Sequence, residues 1–404
     1  MKFGFRDPSP PVSVEAWRRL ARRRLPDMAW HYVESGADDR ITQQANCSDF
    51  SRWRLRQRSL AGVAQPDMAA KMAGERLSMP LALAPTGASG ISHWTGDIAA
   101  TRAAERKGTR AVISTAASYT LEEIAVATEH NHWFQLYPFG DRGRVKRLMA
   151  RAEAMGYTAL FVTVDVPTLG NREAERTSGM AQPRIVTPGR LLNLLTRPVW
   201  LYNLLKHQRI AAAHYVERDP ESGLTALEGV RRAITGAADD AARSADAQLR
   251  YMQSDLSWED LAWMRDNWRG KVYVKGVLDA DDAAQAVDQV GVDGVVVSNH
   301  GGRQLGRALS SIAALPAIAG RIGDRAEVFL DGGVRRGSDV ITALCLGADG
   351  VFIGRPYLYG LAAAGEEGVA SVLDIFQAEI RRDLTLMGCP GIAALDRSWL
   401  LDAS

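Results

Sequence analysis

Short continuous apolar runs, bounded by Gly, Pro or polar residues, recur along the chain. Eight stand out: LALAPT (81–86), AVISTA (111–116), HWFQLY (132–137), ALFVTVD (159–165), VYVKG (272–276), GVVVSN (294–299), EVFLDG (327–332) and GVFIGR (350–355). Their length and β-branched content mark strands. They do not alternate, as expected when both faces of a strand are buried. Helical patterns lie between most of them. DRGRVKRLMARAEAMG closes on Gly156, suited to a C-cap. DADDAAQAVDQVG starts with acids and closes on Gly291, which suits the helix dipole and cap. SDVITALCLGADG begins on Ser338, a residue type suited to an N-cap. Strand and helix repeated eight times predict an α/β fold, a parallel sheet closed as a (β/α)8 TIM barrel.

One connection breaks the rhythm. Roughly a hundred residues, 166–271, separate the fourth and fifth runs, where about a dozen would serve. The excess predicts an insertion over 170–255, at the strand C-terminal end. Residues 1–75 precede the barrel as a helical extension. Its SVEAWRRLARRRLPDMAWHYVESGA is Arg-rich, and the arginines read as a solvated helix face. The chain, 1–404, reads as one domain with no internal repeat beyond the strand–helix period. ITGAADDAARSADAQ (234–248) is the most flexible-looking stretch.

Composition narrows the class. The chain is 46% hydrophobic and 24% charged with net charge +2, ordinary for a soluble globular protein and without a field that would point to nucleic acid. Three scattered cysteines, Cys47, Cys345 and Cys389, make no disulfide framework, so a reducing, cytoplasmic setting is expected. The N-terminus has no apolar signal region, and no run of about 18 apolar residues is present to span a membrane.

In a barrel, residues at the strand C-terminal ends converge on one site. Here they are Pro85 and Thr86, Ser114, Gln135 and Tyr137, Thr163 and Asp165, Lys275, Ser298 and His300, Asp331, then Gly354 and Arg355. Polar residues follow apolar runs at one register, which is a site rather than a core. The last two strands end in LDGGVRRG and IGRP. Paired glycines let backbone N–H groups approach an anion, and arginines neutralise it. Barrels often bind phosphate at this corner. A phosphorylated ligand is therefore expected, held by Gly333, Arg335, Gly354 and Arg355, with Asp331 accepting from its hydroxyls. No G-x-G-x-x-G or P-loop lysine is present, so the Rossmann and Walker readings fail. EHNH (129–132) precedes a strand, at the wrong end of a barrel for a metal site, and no metal is expected.

SNHGGRQL, LDGGVRRGSD, FIGRP, LAPTG, WFQLY and TVDVPTLGNRE resemble the FMN-dependent 2-hydroxy acid oxidoreductases, a family that includes glycolate oxidase and the lactate and mandelate dehydrogenases. The resemblance runs from about residue 15 to 390. It implies FMN as cofactor and oxidation of an (S)-2-hydroxy acid, lactate- or mandelate-like, to the 2-oxo acid. His300 would be the base and Asp165 would orient it and stabilise its imidazolium. Arg303 would clamp the substrate carboxylate, assisted by Arg172, because a planar guanidinium suits a carboxylate. Tyr32 would bind the carboxylate and Tyr137 would lie near the substrate oxygen. Lys275 would stand beside the flavin N1 and C2 oxygen. Ser114, Gln135 and Thr163 would bond the pyrimidine edge, backbone at Ala84, Pro85 and Thr86 would face N5, and Ser298 would complete the cofactor set. Glycolate oxidase carries a tryptophan where ISTAAS places Ala116. Its absence opens space over the substrate side chain, which favours a larger acid.

Within the insertion, IVTPGRLLNLLTRPVWLYNLLKHQR combines leucines and Trp200 with Arg190, Arg197, Lys206 and Arg209, and no acid occurs between Glu175 and Glu217. Pro198 divides it. This is how an interfacial segment reads, and residues 183–212 are expected either to meet a membrane surface or to form a lid or subunit contact. Similar insertions occur in membrane-associated relatives that deliver electrons to quinone. Family resemblance also implies a homotetramer. Two alternatives accompany the dehydrogenase reading: an oxidase that reduces O2 to H2O2 at the same site, and a non-redox FMN-binding isomerase. The His300 and Arg303 pair weighs against the second.

Overall fold

The computed structural model describes residues 11–129, 132–180, 187–215, 237–252 and 254–403. Eight parallel strands build the barrel: β1 (Leu81–Leu83), β2 (Val112–Ser114), β3 (Trp133–Leu136), β4 (Ala159–Thr163), β5 (Lys271–Val277), β6 (Gly294–Val297), β7 (Glu327–Asp331) and β8 (Gly350–Ile353). They pair in the order β1-β8-β7-β6-β5-β4-β3-β2. A parallel bridge between Leu83 and Ala111 brings the ends of the sheet together. All eight apolar runs are strands; Ser114, Gln135, Thr163, Lys275 and Asp331 are strand residues, while Thr86, Tyr137, Asp165, Ser298, His300 and Arg355 follow their strands.

Two apolar layers result from strand alternation. Ala82, Val112, Trp133, Phe161, Tyr273, Phe329 and Phe352 fill the barrel interior. Phe161 stacks on Tyr273 with ring centroids 4.8 Å apart, and Phe329 meets Phe352 edge-on at 5.5 Å. Leu81, Leu83, Val295 and Val297 point outward and pack under the helices. An interior filled by aromatic rings is a floor, so ligand space exists only above it, at the strand C-terminal ends. A hairpin, Ala70–Met72 and Glu75–Leu77, covers the opposite mouth with Met72 and Leu77.

Local signals mostly hold. Gly156 and Gly291 have φ of 81° and 76°, the left-handed geometry of helix C-caps. Ser338 does not cap its helix. The helix is Gly337–Cys345, and Asp339 accepts from the backbone N–H of Arg335 at 2.8 Å and Arg336 at 2.9 Å. One carboxylate oxygen, Oδ2, accepts both N–H groups, and its negative charge also suits the positive end of the helix dipole. The N-terminal extension opens with two helices, Val14–Arg24 and Asp27–Glu34, separated at Pro26, and a third, Ile41–Ser48, follows. Its arginines are not all a solvated face: Arg18 and Arg22 lie over the Trp30 ring at 5.4 and 5.6 Å and pair with Glu34 and Asp27.

Among its described residues the insertion forms helices Glu173–Ser178, Pro188–Leu195, Pro198–His207 and Ala237–Tyr251, and helix Trp258–Asp266 leads back to the barrel. The flexible reading of 234–248 is corrected from residue 237 onward, with 234–236 outside the described residues. Alanine favours helix, and Ser244 and Ala247 are buried, Ser244 Oγ accepting from Ala212 N at 3.1 Å. Pro198 opens the third of these helices, as its missing N–H permits. Residues 183–186 of the 183–212 segment lie outside the described residues. Within the rest, Trp200 is buried and its indole N–H donates to Ile91 O at 2.7 Å. It docks the segment on the barrel instead of facing outward. Leu191, Leu192, Leu195, Val199, Tyr202 and Leu205 are exposed.

Candidate active site

The chain after β6 makes a turn with three consecutive left-handed residues: φ is 57° at His300, 64° at Gly301 and 75° at Gly302. A side chain at either glycine would collide as well as strain. A Cβ on Gly302 would lie 2.5 Å from Gln43 N, and one on Gly301 2.9 Å from Arg355 Nη1. His300 carries the cost of a non-glycine residue in this region. Neighbouring side chains hold the turn. Asn299 and Asn46 exchange amide hydrogen bonds of 2.7 and 2.8 Å, Gly302 N donates to Asn299 Oδ1 at 3.0 Å, and His300 N donates to Ser298 Oγ at 3.1 Å. The result turns His300 and Arg303 into one cavity.

His300 Nδ1 donates to Asp165 Oδ1 at 3.0 Å, which leaves Nε2 toward the Tyr137 hydroxyl at 3.4 Å. Room for Asp165 comes from Gly276. This residue sits at an irregularity of β5 with φ 107°, and a Cβ on it would lie 2.6 Å from Asp165 Cβ. Burial pushes the His300 pKa below its usual value, outweighing the pull of Asp165, and Lys275 and Arg172 push the same way. The imidazole is therefore neutral at pH 7 with Nε2 free to accept a proton. Asp165 is held below the usual carboxylate range: burial opposes this, but His300 and Lys275 prevail.

Below the base lies a buried ion pair. Lys275 Nζ is 2.7 Å from Asp331 Oδ2 and donates to Ser298 Oγ at 2.9 Å, and Ser298 Oγ donates to Asp331 Oδ1 at 2.6 Å. Burial acts to discharge Lys275, but Asp331 and Asp165 raise its pKa and keep it charged. A second chain crosses three strands. Ser114 Oγ donates to Gln135 Oε1 at 2.7 Å, and Gln135 Nε2 donates to Thr163 Oγ1 at 2.9 Å.

A cavity of about 410 Å³ opens above these groups. Tyr32, Ala84, Pro85, Thr86, Ala116, Tyr137, Arg172, Lys275, His300, Arg303, Asp331, Gly333, Arg335, Gly354 and Arg355 all line it. Asp165, Ser298, Ser114, Gln135 and Thr163 are not part of its surface; they stand behind it, bonded to lining groups or to each other. Arg335 and Arg355 pair with no carboxylate among the described residues, and their side-chain bonds go to backbone carbonyls: Val334 for Arg335, and Val33, Ser35 and Gly301 for Arg355. Burial and the nearby Arg303 push Arg355 down to about 10. Such cations call for an anion. Gly354 leaves the approach open, since a Cβ there would touch only Thr86 and Ala84, at 3.7 and 3.9 Å. This corner fits a phosphate.

Arg303 already has a partner. Its Nη2 donates to Glu175 Oε1 at 2.9 Å, and its Nη1 to Tyr32 O at 2.8 Å. Tyr32 donates its hydroxyl to Gly87 O at 2.9 Å. Arg172 donates to Arg303 O and to Gln304 Oε1. Sequence reasoning missed Glu175, the Asn46–Asn299 pair, and an apolar wall of Phe139, Val166, Leu169, Met180, Ala245, Leu249 and Met252. Glu175 lies three residues past Arg172 in the same polar loop, a spacing that could have marked it. Asn46 and the residues of the Ala237–Tyr251 helix carry no local signal, because folding alone brings them near.

His132 of EHNH is buried, with Nε2 2.7 Å from Thr128 Oγ1, while residues 130 and 131 lie outside the described residues.

Comparison with known proteins matches residues 21–402 to the FMN-dependent dehydrogenase family. An L-lactate dehydrogenase of Caulobacter vibrioides is 40% identical over 392 residues, covering 96% of this chain and 97% of that protein. One from Pectobacterium atrosepticum is 37% identical over 388 residues, covering 96% of each. Among solved structures, the monotopic membrane protein (S)-mandelate dehydrogenase superposes with a TM-score of 0.89 at 36% identity, covering 98% of this chain and all of that one. A mandelate oxidase with (S)-4-hydroxymandelic acid gives 0.79 at 32% identity, covering 96% and 98%.

The phosphate corner makes a direct prediction. Arg335→Met should weaken FMN retention, because a hydrogen bond to a charged group contributes about 1.5–3 kcal/mol, roughly 10- to 150-fold in affinity. Fluorescence titration of the apoprotein with FMN measures it, and an unchanged dissociation constant would remove Arg335 from the phosphate site.

Proposed function

The chain belongs to the FMN-dependent dehydrogenase family, and from that premise we propose that it oxidises an (S)-2-hydroxy acid with a bulky apolar side chain to the 2-oxo acid. The observation that carries this reading is the His300–Asp165 pair and Arg303 on the surface of one cavity. Oxidation of the carbinol releases two electrons and two protons. FMN, when bound, would supply the acceptor of the two electrons and of one of the two protons. His300 Nε2 takes a proton, and Asp165 steadies the imidazolium that results. Arg303 and Arg172 orient the carboxylate next to the carbon being oxidised. Lys275 supplies a fixed positive charge beside the flavin, held by Asp331 and Ser298. The Ser114–Gln135–Thr163 chain supports the flavin's pyrimidine edge from behind the cavity wall.

Side-chain preference follows from the apolar wall. Ala116, Phe139, Val166, Leu169, Met180, Leu249 and Met252 present no charge to a substrate group. Burying an aryl or branched side chain there gains roughly 25 cal/mol per Å², a gain a methyl group collects only in part.

The outer face of the insertion supports membrane docking. Leu192, 64% exposed, and its neighbours Leu191, Leu195, Val199 and Tyr202 form an apolar surface, with Arg190, Arg197 and Lys206 close by in sequence. Among the described residues no helix is long and apolar enough to cross a membrane. An acceptor dissolved in the membrane, such as a quinone, would then be reached without a spanning segment.

His300→Gln should abolish substrate-driven flavin bleaching while FMN stays bound, a loss of about 10²–10⁴-fold or more. Stopped-flow absorbance reads it; bleaching within a few-fold of wild type would discard His300 as base. For wild type, a His300 pKa below 6.5 means that the base is lost only as pH falls through that lower value. The acid limb of kcat/KM should therefore lie below pH 6.5.

Ala116→Trp should damage aryl and branched acids most and spare glycolate, since overpacking typically costs about 1–3 kcal/mol. Steady-state kinetics on glycolate, lactate and mandelate decide it. Equal losses on all three would show that position 116 does not meet the substrate side chain.

Docking is tested by replacing Leu191, Leu192 and Leu195 with Glu, which leaves the buried Trp200 anchor in place. Wild type should co-sediment with anionic liposomes and resist release by salt alone, because each basic residue contributes only about 1 kcal/mol of screened attraction. The triple variant should remain in the supernatant with its flavin bound. Wild type in the supernatant would overturn the membrane reading.

A further inference from the structure

Glu175 is a cavity residue to which the chemistry above gives no task. It lies on the short helix Glu173–Ser178, with its side chain 10% exposed. Oε1 accepts from Arg303 Nη2 at 2.9 Å and from Ser35 Oγ at 2.5 Å, while Oε2 is 4.0 Å from Arg172 Nη1. On the other side of the guanidinium, Arg303 Nη1 donates to the carbonyls of Tyr32 and Ser35 at 2.8 and 3.2 Å. The far end of Arg303 is thus held by protein acceptors. No protein acceptor is recorded for its Nε among the described residues, so that edge is left for a ligand. Charge follows the same arrangement. Arg172 and Arg303 bring two positive charges, Glu175 cancels one, and a single substrate carboxylate balances the other. A second carboxylate on the substrate would meet Glu175 instead of a cation.

We propose that Glu175 is a positioning and specificity residue. It fixes Arg303 so that the Nε edge faces the substrate, and its negative charge restricts the site to monocarboxylates. The proposal rests on the 2-hydroxy acid reading above. Its two parts separate by substitution. Glu175→Gln keeps an acceptor oxygen and removes the charge. Glu175→Asp keeps the charge and withdraws it by one methylene, out of reach of Arg303.

The holoenzymes are compared by calorimetric binding of phenylacetate and phenylmalonate, an inert mono- and dicarboxylate, and by the limiting rate of flavin reduction. Wild type should bind phenylacetate in clear preference. In Glu175→Gln, phenylmalonate should gain about tenfold relative to phenylacetate, the size of a partly screened charge interaction. In Glu175→Asp that preference should persist, while the limiting rate falls about tenfold or more, as a carboxylate displaced from its register with His300 requires. Ser35→Ala, which removes a donor to Glu175 and an acceptor of Arg303 Nη1 but no charge, should lower the limiting rate a few-fold and leave the preference alone. It decides the positioning claim if a Glu175 variant fails to retain FMN. The proposal is overturned if Glu175→Gln keeps the wild-type preference, or if Ser35→Ala and Glu175→Asp both reduce flavin at the wild-type rate. If wild type itself is bleached by no 2-hydroxy acid, the functional reading falls and this proposal with it. Bleaching in wild type with unaltered variants overturns the proposal alone.

Discussion

The turn from Ser298 to Arg303 is the constraint on which the site depends. A strand has ended, and within six residues the chain must offer an imidazole and a guanidinium to the same space. Three successive left-handed residues achieve that, and L-residues resist such a backbone. Glycine removes the resistance at two positions, leaving His300 as the strained member. The cost is offset by polar contacts from distant parts of the chain. Asn46, in the N-terminal extension, exchanges amide bonds with Asn299 and also accepts from Ser311 N at 3.1 Å. Gln43 of the same helix backs onto Gly302. The extension is therefore part of the active-site scaffold, although none of it belongs to the barrel.

Charge balance explains the rest of the cavity. Buried charges persist only where paired or ligand-bound. Lys275 has Asp331, His300 has Asp165, and Arg303 has Glu175. Among the described residues Arg335 and Arg355 have backbone carbonyls alone. FMN carries a phosphate, and on the proposed reading that phosphate would supply the anion these two arginines lack. The same accounting separates two parts of the cavity: one where Arg335 and Arg355 leave cations in excess, and one where Arg303 and Arg172 stand beside the single carboxylate of Glu175.

The insertion serves both sides of the molecule. Its inner surface contributes Met180, Ala245, Leu249 and Met252 to the cavity wall. Its outer surface carries the exposed leucines. Trp200 joins the two by anchoring helix Pro198–His207 to the loop after β1. Gly90, next to that anchor, has no room for a side chain, because a Cβ would lie 1.6 Å from Arg209 O. Asn193, which accepts from Asp27 N, and His207, which stacks on Trp94, hold the outer helices alongside this anchor.

The eight strands were legible because a buried parallel strand must be continuously apolar, and polarity returns where the strand meets the cavity. The register of those polar residues is enough to single out Lys275, His300 and Asp331, which line the cavity, and Asp165, which bonds His300. The glycines of GGVRRG and IGRP single out one corner of the cavity, where Gly333 and Gly354 line it beside Arg335 and Arg355, since backbone open to an anion leaves a local trace. Ser338 and the 234–248 stretch were misread for opposite reasons: a better cap lay one residue on, and an alanine-rich segment became a helix with a buried face. Trp200, Glu175 and Asn46 had to await the tertiary structure. Each acts through a partner more than a hundred residues away: Ile91, Arg303 and Asn299. Local patterning encodes the faces that an element must bury. It does not encode which distant side chain will meet a polar group once those faces are buried, and that pairing is decided only when the chain packs.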